Sequence, residues 1–187
     1  NNDRPGILLS SAIDKYASFF GVACGEKNIL FTNNDTAYET ANSLFKKGIN
    51  IEAIIDNREE IDSKLIKEAE KHNIKIYKGY TVVNTYGDKR INKISIMQLS
   101  KDGQKVIGSK ISIACDCLGI SGGWTPAVHL FTQSGGKLKF RDEDQVFIPS
   151  IYPSNQISIG SCNGDFTLDE ILFNLPKTLK KFLKINK

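Results

Sequence analysis

The sequence predicts an α/β fold in which parallel βαβ units, covered by helices, carry a three-stranded antiparallel meander. Two observations predict it. Short apolar runs at 27–31, 49–55 and 74–77 alternate with segments of helical spacing. From residue 80 to 113 the period changes to two, with Gly87-Asp88-Lys89 and Lys101-Asp102-Gly103 as hairpin turns between the runs.

The elements follow in order. Arg4-Pro5-Gly6 is a turn. Residues 7–20 have helical spacing, with Ile7, Leu8, Ala12, Ile13, Tyr16, Ala17 and Phe20 on one side and Gly21 as the stop. A strand over 27–31 leads to a helix that Asp35 or Thr36 caps, with Glu39 in its first turn. Ala37, Ala41, Leu44 and Phe45 point inward, and the helix ends at Gly48. The second strand, 49–55, ends at Asp56. Asp62 or Ser63 caps a helix over 64–72, and 74–77 is the third strand. The meander has strands at 80–86, 91–99 and 104–113. An apolar strand over 113–121 is closed by Gly122-Gly123. Ser134-Gly135-Gly136 is a turn before a short extended piece, 137–140. A last strand, 156–160, precedes a terminal helix over 167–184 interrupted at Pro176. There is no internal repeat.

Composition narrows the function. The 187 residues suffice for one large domain, and 40% hydrophobic residues can build its core. A net charge of +4, with both signs spread along the chain, is no nucleic-acid stripe. No apolar run approaches a membrane span. Cys24, Cys115, Cys117 and Cys162 fit neither a disulfide framework nor paired zinc knuckles, so they read as core thiols in a reducing cytoplasm. His72 reads as a surface residue and His129 as a half-buried one. The two histidines and the other residues form no hydrolase constellation, so no catalytic or metal-binding residue is assigned. The opening Asn1-Asn2-Asp3-Arg4-Pro5-Gly6 reads as the interior of a longer chain.

Three glycine- or Asn-rich turns are candidate sites. In a dinucleotide-binding βαβ unit the first turn offers backbone N–H groups to a pyrophosphate and carries three glycines. Here Thr32, Asn34 and Ala37 stand in those places, beside Asn33 and Asp35. The Asn34 side chain fills phosphate space, and Asp35 repels an anion. Asp56 lies where an acid receives a ribose hydroxyl, with Arg58 near it. The turn therefore reads either as scaffold kept for packing or as a nucleotide site with reorganised contacts. The second candidate is Gly160, Ser161, Asn163 and Gly164, able to present N–H groups to a phosphate or sugar, or else a helix-capping loop. The third is Gly122, Gly123 and Trp124, where paired glycines allow close backbone approach.

The segments NNDRPG at 1–6, FTNNDTAY at 31–38, SGGWTPAVHLFTQSGGKL at 121–138 and IGSCNGDFTLDE at 159–170, in this order, resemble the α subunit of heterotetrameric sarcosine oxidase. The resemblance covers nearly the whole chain and an inner portion of the far longer subunit. It implies a two-dinucleotide-binding-domain architecture of the FAD/NAD(P)-binding, pyridine nucleotide-disulfide reductase-like kind, without a redox cysteine pair. It places an inserted second nucleotide-fold domain at 25–108, with 1–24 and 109–187 in an incomplete first domain. The family's true GxGxxG unit is absent here. The family oxidises sarcosine to glycine, passes the carbon to tetrahydrofolate or releases formaldehyde, and makes hydrogen peroxide. Its α subunit carries NAD. FAD and FMN do the chemistry on or against the β subunit, and γ and δ complete the complex. Related reductases have Gly-Asp where Gly160-Ser161 stands, the acid reaching the flavin's ribityl chain. Ser161 lacks that carboxylate, which accords with NAD in place of FAD. Proline, hydroxyproline, opine or glycine dehydrogenase α subunits share the architecture, and a non-catalytic assembly module is the reading from another class. Self-association through 1–24 and 140–187 is expected of the chain on its own.

Overall fold

Strands with consecutive buried apolar residues need cover on both faces, and the runs in β2 (Asn28–Thr32) and β3 (Ile51–Asp56) obtain it from two different layers. The computed structural model describes residues 3–61, 64–153 and 155–185. It divides into two compact units that meet in sequence at Gly123 and Trp124.

In the first unit five parallel strands run in the order β1 (Ile7–Leu9), β8 (Cys117–Ser121), β2, β3 and β4 (Lys75–Lys78). One face packs on helices α1 (Ser10–Phe20), α2 (Thr36–Lys46) and α3 (Lys64–Lys71), through Ile13, Tyr38, Leu44 and Ile66 against Leu30 and Ile54. The other face packs on an antiparallel meander, β5 (Tyr80–Tyr86), β6 (Lys93–Leu99) and β7 (Val106–Ala114), through Ile94 and Ile96 against Ile29, Ala53 and Ile55. Burying each of these Ile and Leu side chains stabilises the sandwich by roughly 1.5–3 kcal/mol. Gly119 lies where α1 crosses β8. A Cβ there would stand 2.6 Å from Leu30 Cδ2 and 2.8 Å from Ile13 Cδ1, so any larger residue would have to displace both side-chain tips.

The second unit holds α4 (His129–Gln133), a hairpin of β9 (Lys137–Arg141) and β10 (Val146–Ile151), a 3-10 turn Gly160–Asn163 and α5 (Leu168–Ile185). Phe140 and Phe147 pair across the hairpin with ring centroids 5.2 Å apart, and Phe131 meets Tyr152 at 5.1 Å.

The parallel strands and the meander follow the expected order. Several details differ. Residues 7–9 form a strand, because parallel pairing with Leu118–Ile120 holds them extended before the helix starts at Ser10. The run 113–121 breaks at Cys115 and Asp116, where the Asp116 carboxylate accepts from the Glu26 and Lys27 N–H groups at 3.0 and 2.8 Å and turns the chain. Tyr38, rather than Phe45, is the aromatic residue that α2 buries. Phe45 is exposed and stacks on His72, which is half-buried instead of free on the surface. His129 is exposed on α4. Residues 156–159 join no ladder, and β10 and α4 lie where no regular element was expected. Helix α5 continues through Pro176. The caps expected at Asp62 or Ser63 lie outside the described residues. Strands β1 and β8 hydrogen-bond into the sheet of β2–β4, so residues 7–9 and 117–121 fold with it.

Cys115 and Cys117 are buried free thiols, and burial pushes both up to about 12. Among the described residues no group of three or more His, Cys, Asp or Glu is placed to hold a metal ion, and no helix is long and apolar enough to cross a membrane.

Candidate functional site

The carboxyl edge of a parallel sheet is where open α/β folds bind ligands, and in the first unit that edge is made by the ends of β2, β3 and β8. Parallel register sets Thr32 level with both Asp56 and Ser121. The turn 33–35 then leads into α2.

Asn34 occupies the centre of this turn. Its Nδ2 donates to the Ser121 carbonyl at 3.0 Å and to Asn33 Oδ1 at 2.9 Å. Its Oδ1 accepts from the Thr36 N–H at 3.1 Å and from the Ser121 hydroxyl at 3.3 Å. The Asn34 N–H donates to Thr32 Oγ1 at 3.0 Å, and that hydroxyl donates to the Asn34 carbonyl at 2.9 Å. Thr36 Oγ1 and Ser121 Oγ lie 3.0 Å apart. Gly123 follows with a left-handed φ of +95°, and a Cβ built there would reach within 4.0 Å of the Asn33 and Asn34 side chains. Gly122 is exposed beside it.

A second chain of contacts lies on the β3 side. Asp56 has a fully buried side chain. Its Oδ2 accepts from Tyr38 Oη at 3.0 Å and from the Arg58 guanidinium at 2.9 Å, and its Oδ1 accepts from Arg58 Nε at 3.1 Å and the Arg58 N–H at 2.9 Å. The other arm of the guanidinium meets the Asp35 carboxylate at 2.8 Å. Burial raises the Tyr38 hydroxyl far above the ordinary tyrosine range, and the Asp56 carboxylate adds to this. Burial alone would lower Arg58, but its bonds to Asp56 and Asp35 outweigh that and hold it above its usual value.

In the second unit the 3-10 turn Gly160–Asn163 precedes α5. Gly164 closes it at φ +84°, where a Cβ would also stand 2.9 Å from Ile148 Cγ2. The Asp165 N–H donates back to the Gly160 carbonyl at 3.1 Å, and Arg141 donates to the Gly164 carbonyl at 3.0 Å. Ser161 is exposed. Asn163 accepts from Tyr152 Oη at 2.9 Å and borders a cavity of about 510 Å³ with Gln156, Ser158, Thr178 and Lys181. Trp124 is exposed at the start of this unit.

Of the residues singled out in the sequence, Asn33, Asn34, Asp35, Asp56, Gly122 and Gly123 thus gather at one sheet edge, and Gly160, Ser161, Asn163 and Gly164 form one turn. Tyr38 and Ser121 were not among the candidate contacts, and Thr36 was named only as a possible helix cap. Tyr38 lies one helical step past the turn and 18 residues from its partner Asp56. Ser121 comes from a strand 87 residues away from Asn34, and only the β2–β8 pairing brings it there.

No family model matches the chain. Curated relatives do. It is 33% identical over 164 residues to sarcosine oxidase subunit alpha of Corynebacterium sp. (strain U-96), and 32% identical over 153 residues to that of Rhizobium meliloti (strain 1021). The first match covers 88% of this chain and 17% of the relative, and the second covers 79% and 14%. Among solved structures, T. acidophilum thioredoxin reductase matches 98% of this chain and 59% of its own, with a TM-score of 0.63 and 15% identity. L-proline dehydrogenase from P. horikoshii matches 87% and 26%, with a TM-score of 0.56 and 20% identity. The fold is therefore the FAD/NAD(P)-binding, pyridine nucleotide-disulfide reductase-like one, a parallel sheet with helices and a separate antiparallel sheet. Over the stretch that aligns, the chain belongs to the sarcosine oxidase subunit alpha family.

Proposed function

We propose that this chain is the nucleotide-fold portion of an NAD-carrying α subunit in a sarcosine oxidase. The complex oxidatively demethylates sarcosine to glycine, hands the carbon to tetrahydrofolate or releases formaldehyde, and forms hydrogen peroxide in the cytoplasm. The observation that carries the reading is 33% identity across 88% of the chain to a protein of that name. The redox chemistry belongs to FAD and FMN, held with β, γ and δ subunits. No residue of this chain is assigned to it.

NAD contacts are assigned to Gly160, Ser161, Asn163 and Gly164, with Gly122, Gly123 and Trp124 as further candidates. The geometry of the 3-10 turn supports this. Ser161 is exposed and uncharged, so it sets no carboxylate of its own against a pyrophosphate, while Gly160 and Gly164 are buried beside it. The order of strands supports a domain reading as well. Residues 25–108 are read as the inserted nucleotide-fold domain and 1–24 with 109–187 as the incomplete first one, and the run of β2, α2, β3, α3 and β4 followed by β5 and β6 within 25–108 supports this.

The second reading, an α subunit of a related flavin-dependent proline, hydroxyproline, opine or glycine dehydrogenase, has one observation in its favour, the fold shared with L-proline dehydrogenase. The test is to purify the whole complex through a tag on the subunit containing this chain and assay it with each amine. Sarcosine-dependent glycine and peroxide are expected, with NAD released on denaturation. Oxidation of L-proline without oxidation of sarcosine would overturn the first reading in favour of the second.

A further inference from the structure

The β2–α2 turn has the fold of a dinucleotide site, yet its residues do not fit a dinucleotide. A pyrophosphate there needs open backbone and free N–H groups at the helix start. Asn34 fills the space, and its amide is committed on both sides, to Thr36 and to Ser121. The Thr36 N–H, first in the helix, is already used by Asn34 Oδ1. The acid that receives a ribose hydroxyl in such folds is here Asp56, wholly buried and bound by Tyr38 and by three N–H groups of Arg58. Charge opposes an anion too. Asp35 and Asp56 together outweigh the single Arg58 guanidinium that joins them.

We infer that this turn is a self-closed site, in which Arg58, held between Asp35 and Asp56, and Asn34, held between Thr36 and Ser121, take the place of a dinucleotide and clamp β2, β3, β8 and α2 together. Two of these contacts join separate elements. Arg58 ties the end of β3 to the start of α2, and Asn34 ties that start to the end of β8. The first unit therefore holds its nucleotide fold with no nucleotide bound at this edge. The inference rests on these contacts alone. A complex that failed to oxidise sarcosine would leave it standing, and so would NAD bound at Gly160–Gly164.

Hydrogen exchange on the chain tests it, read over residues 32–38 and 55–58 with and without millimolar NAD, NADP or FAD. Unchanged exchange at both segments is expected with every nucleotide, and protection of either would overturn the proposal. The clamp is tested separately by Arg58→Lys, which keeps the charge and loses the planar fork, and by Asn34→Ala. Each is expected to speed exchange at 32–38 by about tenfold or more while leaving β6 protected. Exchange at 32–38 as slow as in the unaltered chain in both variants would overturn the clamp.

Discussion

Tyr38 shows how much a single side chain does at the sheet edge. Its ring is fully buried between α2 and the sheet, and its hydroxyl donates to a carboxylate with no exposed surface. A charge in such a place is tolerated only when hydrogen-bonded and paired. Removing the hydroxyl leaves one of Asp56's acceptor positions without a donor. Tyr38→Phe is therefore expected to lower stability by about 1–3 kcal/mol with little change in fold. A urea titration followed by circular dichroism measures it, and a midpoint equal to that of the unaltered chain would refute the role.

At the scale of the element, α5 is organised by its first turn. Thr167 Oγ1 accepts from the Glu170 N–H at 3.3 Å, and Glu170 Oε2 accepts from the Phe166 and Thr167 N–H groups at 3.0 Å. This reciprocal pair is a capping box. Thr167→Ala is expected to cost about 1 kcal/mol of helix stability, visible as lost ellipticity at 222 nm. The Glu170 carboxyl is held below its ordinary value of 4.5, first by the Thr167 N–H and hydroxyl and then by the Phe166 N–H. A depressed carboxyl stabilises the fold above its unfolded value. The contribution of the cap is thus complete above about pH 4.5 and disappears as pH falls through the lowered value. Glu170→Gln should flatten that part of the acid titration. An unchanged acid profile would remove Glu170 from the cap.

At the scale of the whole molecule, each unit displays apolar surface that its own residues leave uncovered. In the first, Leu9, Tyr16, Phe19, Phe20 and Val22 are exposed along and beside α1. In the second, Leu168, Leu172, Phe173 and Leu183 are exposed on α5. Patches of this kind mark contact surfaces. The chain spans 17% of the length of the Corynebacterium relative. Light scattering of the chain across concentrations is expected to show association that Phe19→Ser and Phe173→Ser reduce together. A monomer at every concentration would count against it.

The local pattern determined the strands β2 to β4, the meander and most helix limits. Apolar runs that need two covered faces, period-two alternation and a glycine at residue 21 are properties of neighbouring residues, legible without coordinates. The crowding of the β2–α2 turn by Asn34 and Asp35 was legible for the same reason. Tertiary structure alone decided what those side chains do. Ser121 reaches Asn34 only because β8 pairs with β2, Tyr38 reaches Asp56 only because α2 packs on the sheet, and Ile7–Leu9 is extended only because β8 lies beside it. Spacing along a chain fixes which face a residue takes within its element. Partners 18 to 87 residues away are fixed by how the elements pack.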